Sequence, residues 1–137
     1  MEIFFTLETI EEAARSFIKN MERYKVIALH GEMGAGKTTL VSRIVRLLGS
    51  SSTPSSPTFS IINEYDLPES EKIFHIDLYR LKNELEAIEA GVEDCFVSGF
   101  ICIVEWPEIA PGLLPNNTLH CYLSRVSEYE RKLQINL

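Results

Sequence analysis

The stretch Gly31-Glu32-Met33-Gly34-Ala35-Gly36-Lys37-Thr38 limits what this chain can be more than any other feature. It matches the pattern G-x-x-x-x-G-K-[ST] at every constrained position. The apolar run Val26-Ile27-Ala28-Leu29 precedes it. Leu40, Val41, Ile44, Val45, Leu47 and Leu48 follow at helical spacing and stop at Gly49. A buried strand, a glycine-rich turn and an amphipathic helix in that order form a phosphate-cradling unit. The glycines let the backbone wrap closely and present successive N–H groups to phosphate, and the helix adds the positive end of its dipole. Lys37 can then reach the β- and γ-phosphates of a nucleotide, and the Thr38 hydroxyl can ligate Mg²⁺.

The rest of the chain reads as alternating helices and strands. Thr9 followed by Glu12 fits a capping box, and Ile10, Ala13, Ala14, Phe17, Ile18 and Met21 recur with helical spacing, predicting a helix over 10–23. Residues 50–57 are almost wholly Ser, Thr and Pro and predict a loop. Strands are expected over 58–65 and 72–77 around a turn at Pro68, then short helical pieces over 84–89 and 92–96 separated by Gly91. Phe100-Ile101-Cys102-Ile103-Val104 reads as a buried strand ending in Glu105, and 118–124 with 131–137 as a closing hairpin. Helices set between apolar strands imply an α/β fold of the P-loop NTPase kind: a three-layer αβα sandwich with a mostly parallel central sheet and antiparallel edge strands. At 137 residues the chain is expected to form a single domain, 1–137.

Composition narrows the function classes. No apolar run is long enough to span a bilayer, and the N-terminal Met1-Glu2-Ile3-Phe4-Phe5 lacks the basic start and long apolar stretch of a signal peptide, so a cytoplasmic location without membrane contact is expected. The formal net charge of −7 opposes direct binding to a phosphate backbone; a role near RNA would need a partner to supply basic surface. Cys95, Cys102 and Cys121 are scattered and odd in number, which reads as reduced core thiols. His30, His75 and His120 each fall in an apolar, strand-like stretch and read as packing residues, not metal ligands.

A phosphate loop of this kind needs a carboxylate facing the magnesium, usually at the end of a neighbouring strand. Glu105 and Asp77 both end strands, on the side where ligands of parallel sheets lie. Either could hold Mg²⁺, directly or through water, with the other orienting the attacking water. The plainer alternative is that one caps a following turn or pairs with Arg80. Thr58, just after the Ser/Thr/Pro-rich loop, could bond a γ-phosphate oxygen or the metal, or simply open a strand.

Together, residues 31–39 (the loop with Thr39), Ser56-Pro57-Thr58-Phe59, His75-Ile76-Asp77-Leu78-Tyr79-Arg80-Leu81 and Glu105-Trp106-Pro107 resemble the TsaE (YjeE-type) family. That family is the ATPase component of bacterial tRNA threonylcarbamoyladenosine synthesis. The resemblance runs from about Thr9 to Arg131. It implies ATP and Mg²⁺ as cofactors, with weak hydrolysis by the chain alone. It also implies two partners of the sugar-kinase-like fold, TsaD and TsaB, and ATP turnover that supports repeated modification of adenosine 37 in tRNAs reading codons that start with A. By the same resemblance Thr38 and Glu105 are the magnesium ligands, Asp77 is required for turnover, Trp106 lies near the nucleotide, and Glu8, Thr9 and Arg131 flank the adenosine.

Two other functions compete. A small-molecule kinase would need an acceptor pocket and usually an arginine-rich lid, yet beyond the first helix and the phosphate-loop helix the arginines are Arg80, Arg125 and Arg131, with no inserted lid. A guanine-specific switch would carry Asn-Lys-x-Asp, which is absent. The charge argument is directly testable: the nucleotide-free chain on its own is expected to show no saturable tRNA binding at physiological salt in a filter or mobility assay, and micromolar binding would refute it.

Overall fold

The computed structural model describes residues 1–50 and 61–137, so Thr58 and most of the Ser/Thr/Pro-rich loop lie outside the described residues. Seven strands form one sheet: β1 (Glu2–Phe5), β2 (Val26–His30), β3 (Ile62–Asp66), β4 (Lys72–Asp77), β5 (Ile101–Glu105), β6 (Leu119–Arg125) and β7 (Arg131–Asn136). Their spatial order is β1-β7-β6-β2-β5-β4-β3. The central neighbours β6, β2, β5 and β4 run parallel, and β3, β7 and β1 add antiparallel edges. This is the expected α/β arrangement.

Alternation along the strands divides the core in two. Ile27 and Leu29 of β2 and Ile103 of β5 face one side, where they pack with α1 (Ile10–Met21) and α2 (Lys37–Leu47) through Phe17, Leu40 and Ile44. Val26, Cys102 and Val104 face the other, against α3 (Glu84–Glu89) and α4 (Val92–Phe96) through Ala87 and Val92. The sheet is thus the middle of three layers, as a parallel sheet with helices on both faces requires. The three cysteines are free and buried, and burial pushes the Cys102 and Cys121 thiols up to about 12, so both stay protonated.

Three local features differ from the sequence reading. The first helix ends at Met21 rather than Arg23. Its capping box does not form. Thr9 occupies the cap position at φ −110, ψ 10, and its hydroxyl accepts from the Thr6 N–H at 2.9 Å instead of from the helix, because the Thr6–Thr9 turn draws it backward. The N-terminal segment forms β1, which sequence reasoning did not assign. Its four residues pair with β7, Glu2 opposite Gln134 and Phe5 opposite Arg131.

The helix stop at Gly49 is as expected. The Gly49 N–H bonds to Arg46 O at 3.0 Å and the Ser50 N–H to Val45 O at 3.2 Å, the paired bonds of a Schellman turn. Phe17 is 1% exposed between the first helix and the sheet. Phe17→Ala is expected to destabilise folding by about 3–5 kcal/mol, read from the midpoint of urea unfolding.

Candidate functional site

The loop between β2 and α2 depends on its glycines at two points. Gly36 adopts φ 101 at the helix N-cap, a left-handed conformation that strains any side chain. Gly31 leaves β2 so close to β6 that an added Cβ would sit 2.7 Å from the Leu123 carbonyl oxygen. The loop is therefore pressed against the end of β6, and α2 starts at Lys37 directly behind it.

Lys37 is buried, 5% exposed. Its Nζ donates to the Gly31 carbonyl and lies 3.9 Å from the centroid of the Trp106 ring, a cation–π contact. Burial pushes the lysine pKa below its ordinary value, while Glu105, Glu108 and Asp77 pull it back up. Trp106 itself is held in the left-handed region, φ 57 and ψ 48, before Pro107. That conformation costs an aromatic residue about 1–3 kcal/mol and aims its ring at the lysine. Tyr79 supports the indole from the other strand end, with ring centroids 5.0 Å apart.

The two strand-end carboxylates meet as neighbours. In the β4–β5 register Asp77 stands beside Glu105. Glu105 is 2% exposed, and its Oε2 accepts from the Thr38 hydroxyl at 3.4 Å and from His75 Nε2. Asp77 is half-buried, and its Oδ1 accepts the Tyr79 N–H at 3.0 Å, the turn-capping role open to it from sequence. Lys37 and Thr38 of the loop and Glu105 of β5 thus converge beside Trp106.

Beside this centre lies a cavity of about 570 Å³, bounded by Gly34, Ala35, Gly36 and Thr39 of the loop and helix, Glu8 of the β1–α1 turn, and Tyr129 and Arg131 of the hairpin. Arg131 donates from Nε to the Ala35 carbonyl at 3.0 Å and from Nη1 to Ser127 O at 2.9 Å, which ties the hairpin to the loop. Thr9 is exposed, and its hydroxyl bonds Thr6, itself a wall residue of this cavity. Glu32 and Met33 are exposed at the loop tip and border a second hollow of about 500 Å³ with His30, Tyr122 and Arg125.

Histidine placement is where sequence reasoning fell short. His75 packs inside the sheet but also holds Glu105, a contact between residues thirty apart that no local spacing signals. His30 Nε2 and His120 Nδ1 hydrogen-bond at 2.9 Å, and His30 stacks on Tyr122 at 4.4 Å between centroids. Burial lowers the His30 pKa; His120 and Lys37 lower it too, and Glu108 opposes them. A folded pKa below the unfolded one means the unfolded chain binds more protons between the two values. Stability is then constant above about 6.5 and falls as pH drops from there toward the lowered folded value. His30→Gln is expected to flatten this acid-side slope in thermal unfolding followed from pH 7.5 to 5; an unchanged slope would place its origin elsewhere.

The residues fit a Mg-nucleotide. Among the described residues no three His, Cys, Asp or Glu side chains gather into a cation cage. A magnesium ion bound along with phosphates needs only one or two protein oxygens, and the facing Thr38 hydroxyl and Glu105 carboxylate are such a pair. Among the described residues no helix is long and apolar enough to cross a membrane.

Comparison with known proteins identifies the family and the fold. A family model described as threonylcarbamoyl adenosine biosynthesis protein TsaE matches residues 5–133. The tRNA threonylcarbamoyladenosine biosynthesis protein TsaE of Haemophilus influenzae is 37% identical over 94 residues, 69% of this chain and 59% of that protein. Its counterpart in Rickettsia bellii is 32% identical over 129 residues, 93% of this chain and 88% of that protein. The chain thus spans less than two thirds of the first relative's length and most of the second's. A crystal structure of Bacillus subtilis YdiB shares the fold with a TM-score of 0.73 at 24% identity, covering 98% of this chain and 83% of that one. With residues 5–133 matched by a family model and 93% of its length aligned to a relative at 32% identity, this chain belongs to the TsaE family of threonylcarbamoyladenosine biosynthesis proteins.

Proposed function

We propose that this chain binds Mg-ATP at residues 31–39 and hydrolyses it to drive threonylcarbamoylation of tRNA adenosine 37, working in the cytoplasm with TsaD-like and TsaB-like partners. The observation that carries the reading is the convergence of Lys37, Thr38 and Glu105 at the carboxyl ends of the central strands. Lys37 now rests on a neutral carbonyl and an indole face, and a phosphate would give the same ammonium a charged partner. Thr38 and Glu105 would hold the magnesium, which when bound neutralises charge on the phosphates. Asp77, beside Glu105 but not engaged with Thr38, is left to orient the attacking water. The cavity lined by Glu8, Thr39 and Arg131 has room for the nucleoside, and Trp106 lies against Lys37 where the phosphates would sit. The net charge of −7 supports a tRNA contact made only through the complex.

Lys37→Ala is expected to weaken ATP binding about 10- to 150-fold by calorimetry, the worth of a charge-assisted hydrogen bond of about 1.5–3 kcal/mol. Steady-state phosphate release under saturating Mg-ATP is expected to be slow for the chain alone and to rise when both partners are added. A rate already equal to that of the mixture would overturn the partner-driven reading, and unchanged ATP affinity in Lys37→Ala would overturn the site.

A further inference from the structure

Among the described residues the buried polar or charged side chains are Lys37, His75 and Glu105. The first belongs to the phosphate loop and the third ends β5. The second opens the segment 75–81 and has so far been given no role in binding, yet it is 5% exposed and in contact with Glu105. A buried imidazole that is not needed to fill space has a polar reason to be there.

Its position follows from the sheet. In the parallel β4–β5 pair Asp77 stands beside Glu105 and His75 beside Ile103. Side chains two apart on a strand share a face, so His75, Asp77, Ile103 and Glu105 all project toward the layer of α1 and α2 where the loop lies. His75 therefore sits one pleat deeper than the two carboxylates, and its Nε2–H donates upward to Glu105 Oε2. The same oxygen faces the Thr38 hydroxyl at 3.4 Å. Glutamate has three rotatable side-chain bonds, and a second donor at the same oxygen restricts the rotamers it can use.

We propose that His75 is a positioning residue: it pins Oε2 of Glu105 so that the carboxylate is presented to Thr38 and to the metal that accompanies the nucleotide. This rests on the Mg-ATP reading of the site and names the residue that sets the site's metal response. A partner of this kind, touching the ligand but not the metal, typically contributes 10–100-fold to metal affinity. Loss of His75 is expected to act on the metal-dependent part of nucleotide binding and not on the phosphate contacts of the loop.

The test compares His75→Leu, His75→Asn and His75→Gln with the unaltered chain. Leu removes the donor, Asn carries one too short to reach the Nε2 position, and Gln carries one at about the right reach. ATP affinity is measured by calorimetry with Mg²⁺ and with EDTA, and thermal unfolding verifies that each variant is folded. The expected result is a Mg²⁺-dependent gain that collapses toward none in the Leu and Asn variants, metal-free affinity within about threefold of the unaltered chain, and a gain largely restored by Gln. Should the Leu variant fail to fold, Asn against Gln makes the same comparison. A gain that survives in Asn, a loss equal in Asn and Gln, or an equal fall with and without metal overturns the positioning role alone. An unaltered chain that binds ATP no better with Mg²⁺ overturns the reading of the site as well.

Discussion

The burial of ionisable groups at one spot governs the rest of the structure. An isolated ammonium or carboxylate removed from water is costly, and it is tolerated only when hydrogen bonds and opposite charge offset the loss. Glu105 receives hydrogen bonds from His75 and Thr38, and Lys37 receives a carbonyl, an indole face and the field of Glu105, Asp77 and Glu108. These partners come from β4, β5, the end of β2 and the start of α2. The site is satisfied only when all four are docked, so the parallel register and the loop conformation are specified together. Removing either Lys37 or Glu105 leaves the other buried with less compensation, and effects of substitutions here should not add.

The edges of the sheet serve the same loop. The hairpin of β6 and β7 extends beyond the parallel strands. Through Arg131 it holds the Ala35 carbonyl, while Leu123 crowds the position where Gly31 must lack a side chain. β1 pairs with β7 on the outside and delivers Glu8 to the same cavity wall. A loop that must present its N–H groups outward has its carbonyls pointing inward, and Arg131 and Lys37 satisfy two of them. The cradle is thus braced from both sides before any ligand arrives, which lowers the ordering entropy that binding must overcome.

What could be read from sequence divides along contact distance. The strand–loop–helix unit, the end of α2 at Gly49 and the pair α3–α4 around Gly91 follow from periodicity and glycine placement within a few residues, and the structure shows them where expected. The strand-end positions of Asp77 and Glu105 were legible for the same reason. β1 was not, because four residues with Glu2 and Phe4 exposed carry no pattern, and their partner lies at the far end of the chain. His75 was legible as an inward-facing residue but not as the partner of Glu105, since alternation along a strand gives the face and never the register between strands. The Thr9 cap failed because a competing turn four residues long captured the hydroxyl first.

The distribution of arginines bears on how such a site could be driven. Charge developing on a transferred phosphoryl group calls for cations that approach its oxygens, and a loop lysine supplies one. Arg131 commits its Nε and Nη1 donors to carbonyls of the loop and the hairpin, and Arg125 directs its Nε to the Ser127 carbonyl at 3.3 Å. Freeing Arg131 to meet a phosphate would unbrace the cradle that holds that phosphate. Arg131 is therefore a structural cation of the cradle. The acidic surface of the chain, at a net −7, would in turn draw a basic partner face toward it over the last nanometre of approach.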